Sequence, residues 1–599
     1  MPRPASPLWQ HFHKDAANKR ATCKYCQHNM CGLVTRMRAH LARKCPDCPS
    51  HVKSEMFEVD LNRKMDLAMA TPTVVASASG AVPHGVLSVK KQRRARGLQP
   101  PAPTPSTASA MDEKSDLDSY VARAIFGAAL PVGTIENTAF VKLLKRLNPG
   151  YEPPSAFTLA TSALDLEYTE VQLKLRAEVL DATAVCLGVE SWAASLKRSV
   201  VSCVINTPSP GVFAFESTGE LPHTPEVLIE KIENIMTQIG TGKVSVIVTD
   251  TSDSMKQASL ALESKYPDIT FLPSCAHAMT AMMTEMLAQP VIANTLNTCK
   301  QLARFFAENH LARAAIARVS EQMQPMEAAL PMGDPDDSSP SGLLDCLFTI
   351  ERNRHSLDIL LAENGTLTAL SPHVKERIMS LAFWEEISTY TGLFEPFLEV
   401  LKTFESDYPL LSTFYHRFTL LWGHLDKYGN LASKFQQIMS EHWQGIQHPA
   451  MYTAYLLDPR FPPSSLSAEA TSEVLAYLKR SADTNAYASI VSELTRFTGR
   501  VGMFADEAIW ESAQKCSPIH WWKGFIGSSC PNLQAVALRT LCFPASSGLS
   551  KSKRDMFEKI HAMNAKFMTE EQASKAAVVY LNTNLSSSVE DGVANETIV

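Results

Sequence analysis

The sequence predicts a multidomain protein. A small metal-stapled module comes first, then an α/β core with a mixed sheet, a large all-helical insertion, and a helical C-terminal region. Three observations carry this. Cys23-x2-Cys26 and His40-x4-Cys45 have the ligand spacing of a structural zinc site. Between residues 183 and 273, short β-rich runs are divided by amphipathic helical stretches. From Val319 to Trp510 the apolar residues recur almost wholly at helical spacing. A chain of 599 residues is also long enough for several domains.

In the N-terminal module, two cysteines of one tight turn present thiolates to the same metal, and His40 and Cys45 complete tetrahedral N/S ligation. The segment is too short to bury a core of its own and needs such a staple. Cys31 and Cys48 are spare thiols, and Cys48 competes with Cys45 for the fourth position. Between residues 1 and 50, Arg3, Lys14, Lys19, Arg20, Lys24, Arg36, Arg38, Arg43 and Lys44 face only Asp15 and Asp47. A basic, metal-stapled module reads first as a nucleic-acid binder, because phosphate neutralisation supplies most of the affinity, and double-stranded DNA is the expected partner. The run from Leu33 to Lys44 has helical spacing, with Leu33, Met37 and Leu41 on one stripe. Arg36, Arg38, Arg43 and Lys44 are then the candidate DNA contacts. The competing reading is a merely solvated basic face.

Further along, 71–111 is rich in Ala, Pro, Ser and Thr without apolar period and reads as a flexible linker. The cluster from Lys90 to Arg96 within it is a nuclear-import candidate. From Ser115, amphipathic helices lead to three β-rich runs at 183–194, 198–208 and 211–218. A helix at 225–240, a strand ending in Asp250, a helix, and a strand at 268–277 follow. This order makes an α/β layer fold with a mixed sheet, and the RNase H-like fold has the same order. The boundaries read as 1–60 finger, 61–114 disordered linker and 115–180 helical region. The first part of the α/β core follows at 181–310, then a helical insertion at 311–510, a C-terminal region at 511–581 and a disordered tail at 582–599. The formal net charge is −6, so the positive charge of the finger is local. Eight of the thirteen cysteines are scattered without paired spacing, and no apolar run is membrane-length. These features point to a reducing intracellular compartment, with neither a membrane nor a small-molecule substrate as partner.

Trp9, Phe12, Cys23, Cys26, His40, Leu41 and Cys45 resemble the BED-type zinc finger, found in DNA-binding chromatin proteins and in hAT-superfamily transposases. Pro518, Trp521, Trp522, Pro531, Leu533, Leu538 and the Pro544–Ser547 run resemble the C-terminal dimerisation region of those transposases. The body is also similar to the domain of unknown function that accompanies BED fingers in hAT-derived proteins. The resemblance implies one structural Zn2+, an RNase H-like core and a homodimer. It assigns Trp521 and Trp522 to dimerisation, and Trp9 and Phe12 to the core of the finger.

The family's catalytic set is Asp, Asp and Glu, which would hold two Mg2+ ions. At the first place this chain has Glu190, one methylene longer; at the second it has Asp250. The motif histidine is His277, with Ser274 where the family has cysteine. The third place, four residues after the Pro-Ala-Ser-Ser run, holds Lys551. An ammonium about 4 Å from a dication would repel it by about 8 kcal/mol at an effective dielectric of roughly 20. Asp555, one turn on, substitutes only if the alignment slips. The expected protein is therefore a nuclear, zinc-dependent DNA-binding dimer that no longer transposes. Glu190, Asp250, His277 and Asp555 would be vestiges of the active site. The alternatives are an active transposase with Glu190, Asp250 and Asp555 as an irregular metal triad, and an interaction scaffold with a purely structural finger.

Overall fold

The computed structural model describes residues 7–15, 20–31, 34–41, 45, 48, 49 and 52. It also describes 107–592 apart from 183, 195–197, 208, 220–221, 324–335, 337–338, 364–366, 368, 405–409, 462–465, 482–483 and 527–528. The chain divides into two compact units, Met1–Ala102 and Pro103–Val599. The basic cluster from Lys90 to Arg96 lies outside the described residues, as do Arg43 and Lys44.

In the first unit, β1 (Phe12–Asp15), β2 (Arg20–Cys23) and β3 (Asn29–Cys31) form an antiparallel sheet. Helix α1 (Val34–Ala39) follows. Leu8, Phe12, Ala21, Met37, Leu41 and Val52 close a miniature core around Cys23 and Cys45, with Trp9 half-buried against it. Eight such residues bury little surface for a free-standing fold, consistent with a metal staple.

The second unit begins with α2 (Thr107–Gly127), so helix replaces the last residues of the expected linker. A 3-10 turn (Val132–Glu136), α3 (Thr138–Leu147), a short turn at Ala156–Thr158 and α4 (Leu164–Asp181) come next. The sheet is built from β4 (Val185–Ala194), β5 (Arg198–Asn206), β6 (Pro210–Gly219), β7 (Val244–Thr249) and β8 (Thr270–Pro273). Their order is β6-β5-β4-β7-β8, with β4, β5 and β6 antiparallel and β4, β7 and β8 parallel. All six residues of β7 are buried, as a parallel strand covered on both faces requires. On one face, Val185, Leu187 and Val189 pack against α5 (Pro225–Ile239) and α6 (Asp253–Lys265). On the other, Cys186, Val246, Val248 and Leu272 meet the methionines of α7 (Cys275–Leu287), then α8 (Pro290–Glu308). Strand β8 is shorter than expected because the Ser274 hydroxyl caps α7 directly after it.

The insertion is helical, as its periodicity indicates, from His310–Met323 through Thr484–Thr498. Its longest helix, Leu381–Thr403, tolerates Pro396 and buries Phe383, Trp384, Phe394 and Phe397. The C-terminal region then returns to the sheet. Helix α9 (Pro531–Thr540) leads to a segment along β4, followed by α10 (Lys551–Asn564) and α11 (Glu570–Gly592). Cys542 meets Cys186 at 3.5 Å between sulfurs, and the Cys275 amide donates to the Ala545 carbonyl. At Gly188 a Cβ would stand 2.0 Å from the Ser547 carbonyl oxygen, so only glycine lets this segment lie on the strand.

Two expectations are corrected here. Trp521 and Trp522 are internal: they are 2% and 0% exposed, packed with Phe497, Phe504 and Trp510. Their indole N–H groups donate to the Ile509 and Leu457 carbonyls, so each ring is fully used inside its own chain. The polar stretch expected as a disordered tail from residue 582 continues α11 to Gly592. The Asn582 amide donates to the Val212 carbonyl and accepts from its N–H, closing the edge of β6.

Candidate metal centre and a buried carboxylate cluster

The four expected zinc ligands converge. The ligand atoms of Cys23, Cys26, His40 and Cys45 all lie within 4.8 Å of one another. Cys23 and Cys26 are brought together by a knuckle in which the Gln27 amide donates to the Cys23 carbonyl and the Cys23 amide to that of His28. Gln27 takes positive φ, 57°, to close it. The last helical turn presents His40, and Cys45 returns with its amide on the His40 carbonyl. Two sulfurs each about 2.3 Å from a tetrahedral zinc stand about 3.8 Å apart, and a sulfur and an imidazole nitrogen about 3.5 Å. The structure has Cys23 Sγ and Cys45 Sγ 3.7 Å apart, and Cys26 Sγ and His40 Nε2 3.2 Å apart. The donor set therefore fits Zn2+. Cys48 is half-exposed and outside the group, which resolves the competition in favour of Cys45. Among the candidate DNA contacts, Arg36 is exposed on α1 and Arg38 stands two positions further along it.

A second constellation lies in the body where the parallel pairing of β4 and β7 stops, at Val189 and Thr249. Glu190 and Asp250 are the next residues, 2% and 4% exposed. Asp250 accepts from the Ser191 amide (2.8 Å), the Ser191 hydroxyl (3.0 Å) and the Ser252 amide (2.9 Å). It thus ties the end of β7 to β4 and to the cap of α6, whose own N-cap is Ser252. Glu190 Oε1 accepts from the Ser547 hydroxyl at 2.8 Å, with His277 Nδ1 3.7 Å away. Its other oxygen faces Gly548, where a Cβ would stand 3.0 Å from it. His277, at the start of α7, is also 3.0 Å from the Ser274 hydroxyl and 3.5 Å from that of Ser547. Nearby, burial holds the His223 imidazole below its ordinary pKa, partly offset by the Asp250 charge.

The irregular triad is not assembled. Asp555 is exposed on α10, on the side of Lys551. Lys551 turns its ammonium to Asp336 at 2.7 Å rather than to Glu190 or Asp250. Among the described residues, the finger ligands are the one group of three or more His, Cys, Asp or Glu with metal-binding spacing. Asp250 and one Glu190 oxygen are turned to protein hydroxyls and amides, while the other Glu190 oxygen is buried without a hydrogen-bond partner among the described residues. Ser547 and Ser191 were not foreseen as partners of these carboxylates. Ser547 comes from 357 residues away, beyond any local pattern. The Ala454–Phe461 stretch is likewise structural: Asp458, fully buried, takes Arg460 at 2.7 Å and the Ser412 hydroxyl at 2.8 Å.

Comparison with family models adds three matches. Residues 6–46 match the BED zinc finger, 154–302 a domain of unknown function (DUF659), and 501–585 the hAT family C-terminal dimerisation region. The three together match a BED-type, hAT-derived protein. No curated protein matches it significantly. In this BED-finger protein the matched finger ends one residue past Cys45, and the matched middle domain contains the whole five-stranded sheet. The matched dimerisation region contains the buried tryptophans and the segment that lies along β4. The finger suggests DNA binding, the C-terminal region suggests dimers, and no described helix is long and apolar enough to cross a membrane.

Proposed function

We propose that this protein is a nuclear, zinc-dependent DNA-binding homodimer whose transposase-type core no longer cuts DNA. The observation that carries the proposal is the complete Cys3His ligand group of a basic finger, in a chain whose carboxylate cluster lacks its third member. One Zn2+ holds α1 against the three-stranded sheet. Arg36 and Arg38, with Arg43 and Lys44 beyond it, then contact the phosphates and the major groove of double-stranded DNA. A dimer carries two fingers, and the second contact of each pair is raised by effective concentration rather than by new chemistry.

For the body, the sheet order with its antiparallel meander and parallel extension supports an RNase H-like core. Glu190, within β4 just past its pairing with β7, and Asp250, directly after β7, stand where such a core would carry two of its carboxylates. In this reading they have become structural: Glu190 anchors the Ser547 loop and Asp250 joins β7 to β4. The same adjacency favours an active transposase as the second reading. Purified full-length protein separates the two. Zinc-dependent binding to duplex DNA that survives Asp250→Ala but not Cys26→Ser supports the proposal. Mg2+-dependent cleavage of terminal-inverted-repeat DNA that Asp250→Ala abolishes would refute it.

A further inference from the structure

Helix α3 poses a physical problem. It has ten residues and none is buried. Helices shorter than about 12–15 residues are marginal in water unless an amphipathic face is packed. Phe140, Leu143, Leu144 and Leu147 fall at i, i+3, i+4 and i+7, on one stripe. Phe140 and Leu144 lean, half-buried, on the cluster formed with α2, α10 and α11. The outer edge of the stripe is bare, with Leu143 52% and Leu147 75% exposed. The Asn137 side chain caps the helix by accepting from the Ala139 and Phe140 amides, which helps but does not bury anything.

Two further apolar groups meet the same support. The 3-10 turn Val132–Glu136 packs against α3 and against the short turn Ala156–Thr158, whose Ala156 amide donates to Glu136. Phe157 in that short turn is 75% exposed. Phe567, after α10, lays its ring on Gly133 of the same 3-10 turn and is itself 44% exposed. Phe567 belongs to the segment matched as a dimerisation region, yet the tryptophans of that segment are internal. Among its described residues, the large apolar side chains left exposed are Val501 and Phe567.

We infer that Leu143, Leu147, Phe157 and Phe567 form a self-association face, and that its occupant is the same face of a second copy of this chain. This extends the dimerising surface to α3 and the short turn Ala156–Thr158, outside the segment matched as a dimerisation region, and it rests on the dimer proposed above. Continuity through Phe567 ties the face to the dimerisation region. The rim carries Lys145 and Glu152, an exposed pair of opposite charges that a two-fold axis can exchange between copies. Clustered exposed apolar side chains beside such a rim are the usual anatomy of a protein interface.

The test uses the full-length zinc-loaded chain in sedimentation velocity across a concentration series. The perturbation is Leu143→Glu with Leu147→Glu and Phe157→Glu. All three positions are exposed, so the variant should keep its helical circular dichroism; Leu260→Glu, exposed on α6, is the control. Wild type and control should dimerise, and the triple variant should dissociate at least ~100-fold more readily. Amide exchange in α3 gives a measurement free of mutation: protection should fall as wild type is diluted through its dissociation range. A wild-type dimer unaffected by the triple change, with α3 exchange independent of concentration, overturns this face and leaves the dimer standing. A wild type that stays monomeric at tens of micromolar overturns the dimer and this face together.

Discussion

Asp250→Ala separates a structural carboxylate from a metal ligand by the sign of its effect. In the structure Asp250 is 4% exposed and accepts two backbone amides and one hydroxyl, at 2.8–3.0 Å. Alanine leaves the Ser191 and Ser252 amides without that acceptor, while the Ser191 hydroxyl can rotate to a new one. Stranding the half-buried Ser191 donor costs about 1–3 kcal/mol, while at the exposed Ser252 water replaces the lost acceptor, so the loss should be about 1–3 kcal/mol. A metal-binding carboxylate behaves oppositely when the metal is absent. Two carboxylates about 5 Å apart repel by about 3 kcal/mol at an effective dielectric near 20, and removing one relieves that. Urea unfolding should be followed by tryptophan fluorescence in buffer holding stoichiometric zinc and no other divalent ion. The midpoint should fall, and exchange of the Ser191 and Ser252 amides should accelerate. A raised midpoint in the variant, together with a Mg2+-dependent stabilisation of wild type that the variant lacks, would refute the structural assignment.

Other outcomes follow from the same geometry. Asp458→Ala takes the carboxylate from the buried Arg460 guanidinium, leaving it the Thr413 hydroxyl, and should cost about 3–5 kcal/mol by calorimetry, whereas exposed Lys551→Ala, opposite Asp336, should cost under about 1 kcal/mol. Asn582→Ala removes both bonds to Val212 and should destabilise by about 1–3 kcal/mol, with faster exchange at the Val212 amide. Burial beside Arg480 holds the His448 imidazole down at about 4. Its folded pKa lies below the unfolded value, so its contribution is complete above about pH 6.5 and is lost as pH falls toward 4. Between pH 7.5 and 5.0 it accounts for about 2 kcal/mol of lost stability. His448→Asn, which can still accept from the Ala450 amide, should flatten that part of the profile.

What could be read in the sequence was what is local. The zinc ligands declare themselves because tetrahedral sulfur and nitrogen ligation imposes spacing on a short stretch. Strand β7 declares itself because burial on both faces leaves it with five apolar or β-branched positions in six. What was misread depends on distant partners. A tryptophan pair looks the same in a core or an interface until Phe497 and Trp510 are placed around it. The Ser- and Asn-rich end of α11 looks like a polar tail because Val212, 370 residues earlier, is what Asn582 binds. Lys551 was read at the carboxylate cluster, whereas Asp336 holds its ammonium across 215 residues.

The central claim is that DNA binding resides in the zinc-stapled finger. Its most direct measurement is the affinity of the full-length protein for a selected duplex, by fluorescence anisotropy, before and after zinc is stripped and then restored. Affinity should be lost with the metal, return with Zn2+ but not with Mg2+, and fail in Cys26→Ser. In the loaded protein, Arg36→Ala with Arg38→Ala should weaken binding and lower the salt slope by about two. Unchanged affinity and salt slope after zinc removal, or after both arginine changes, would contradict the account.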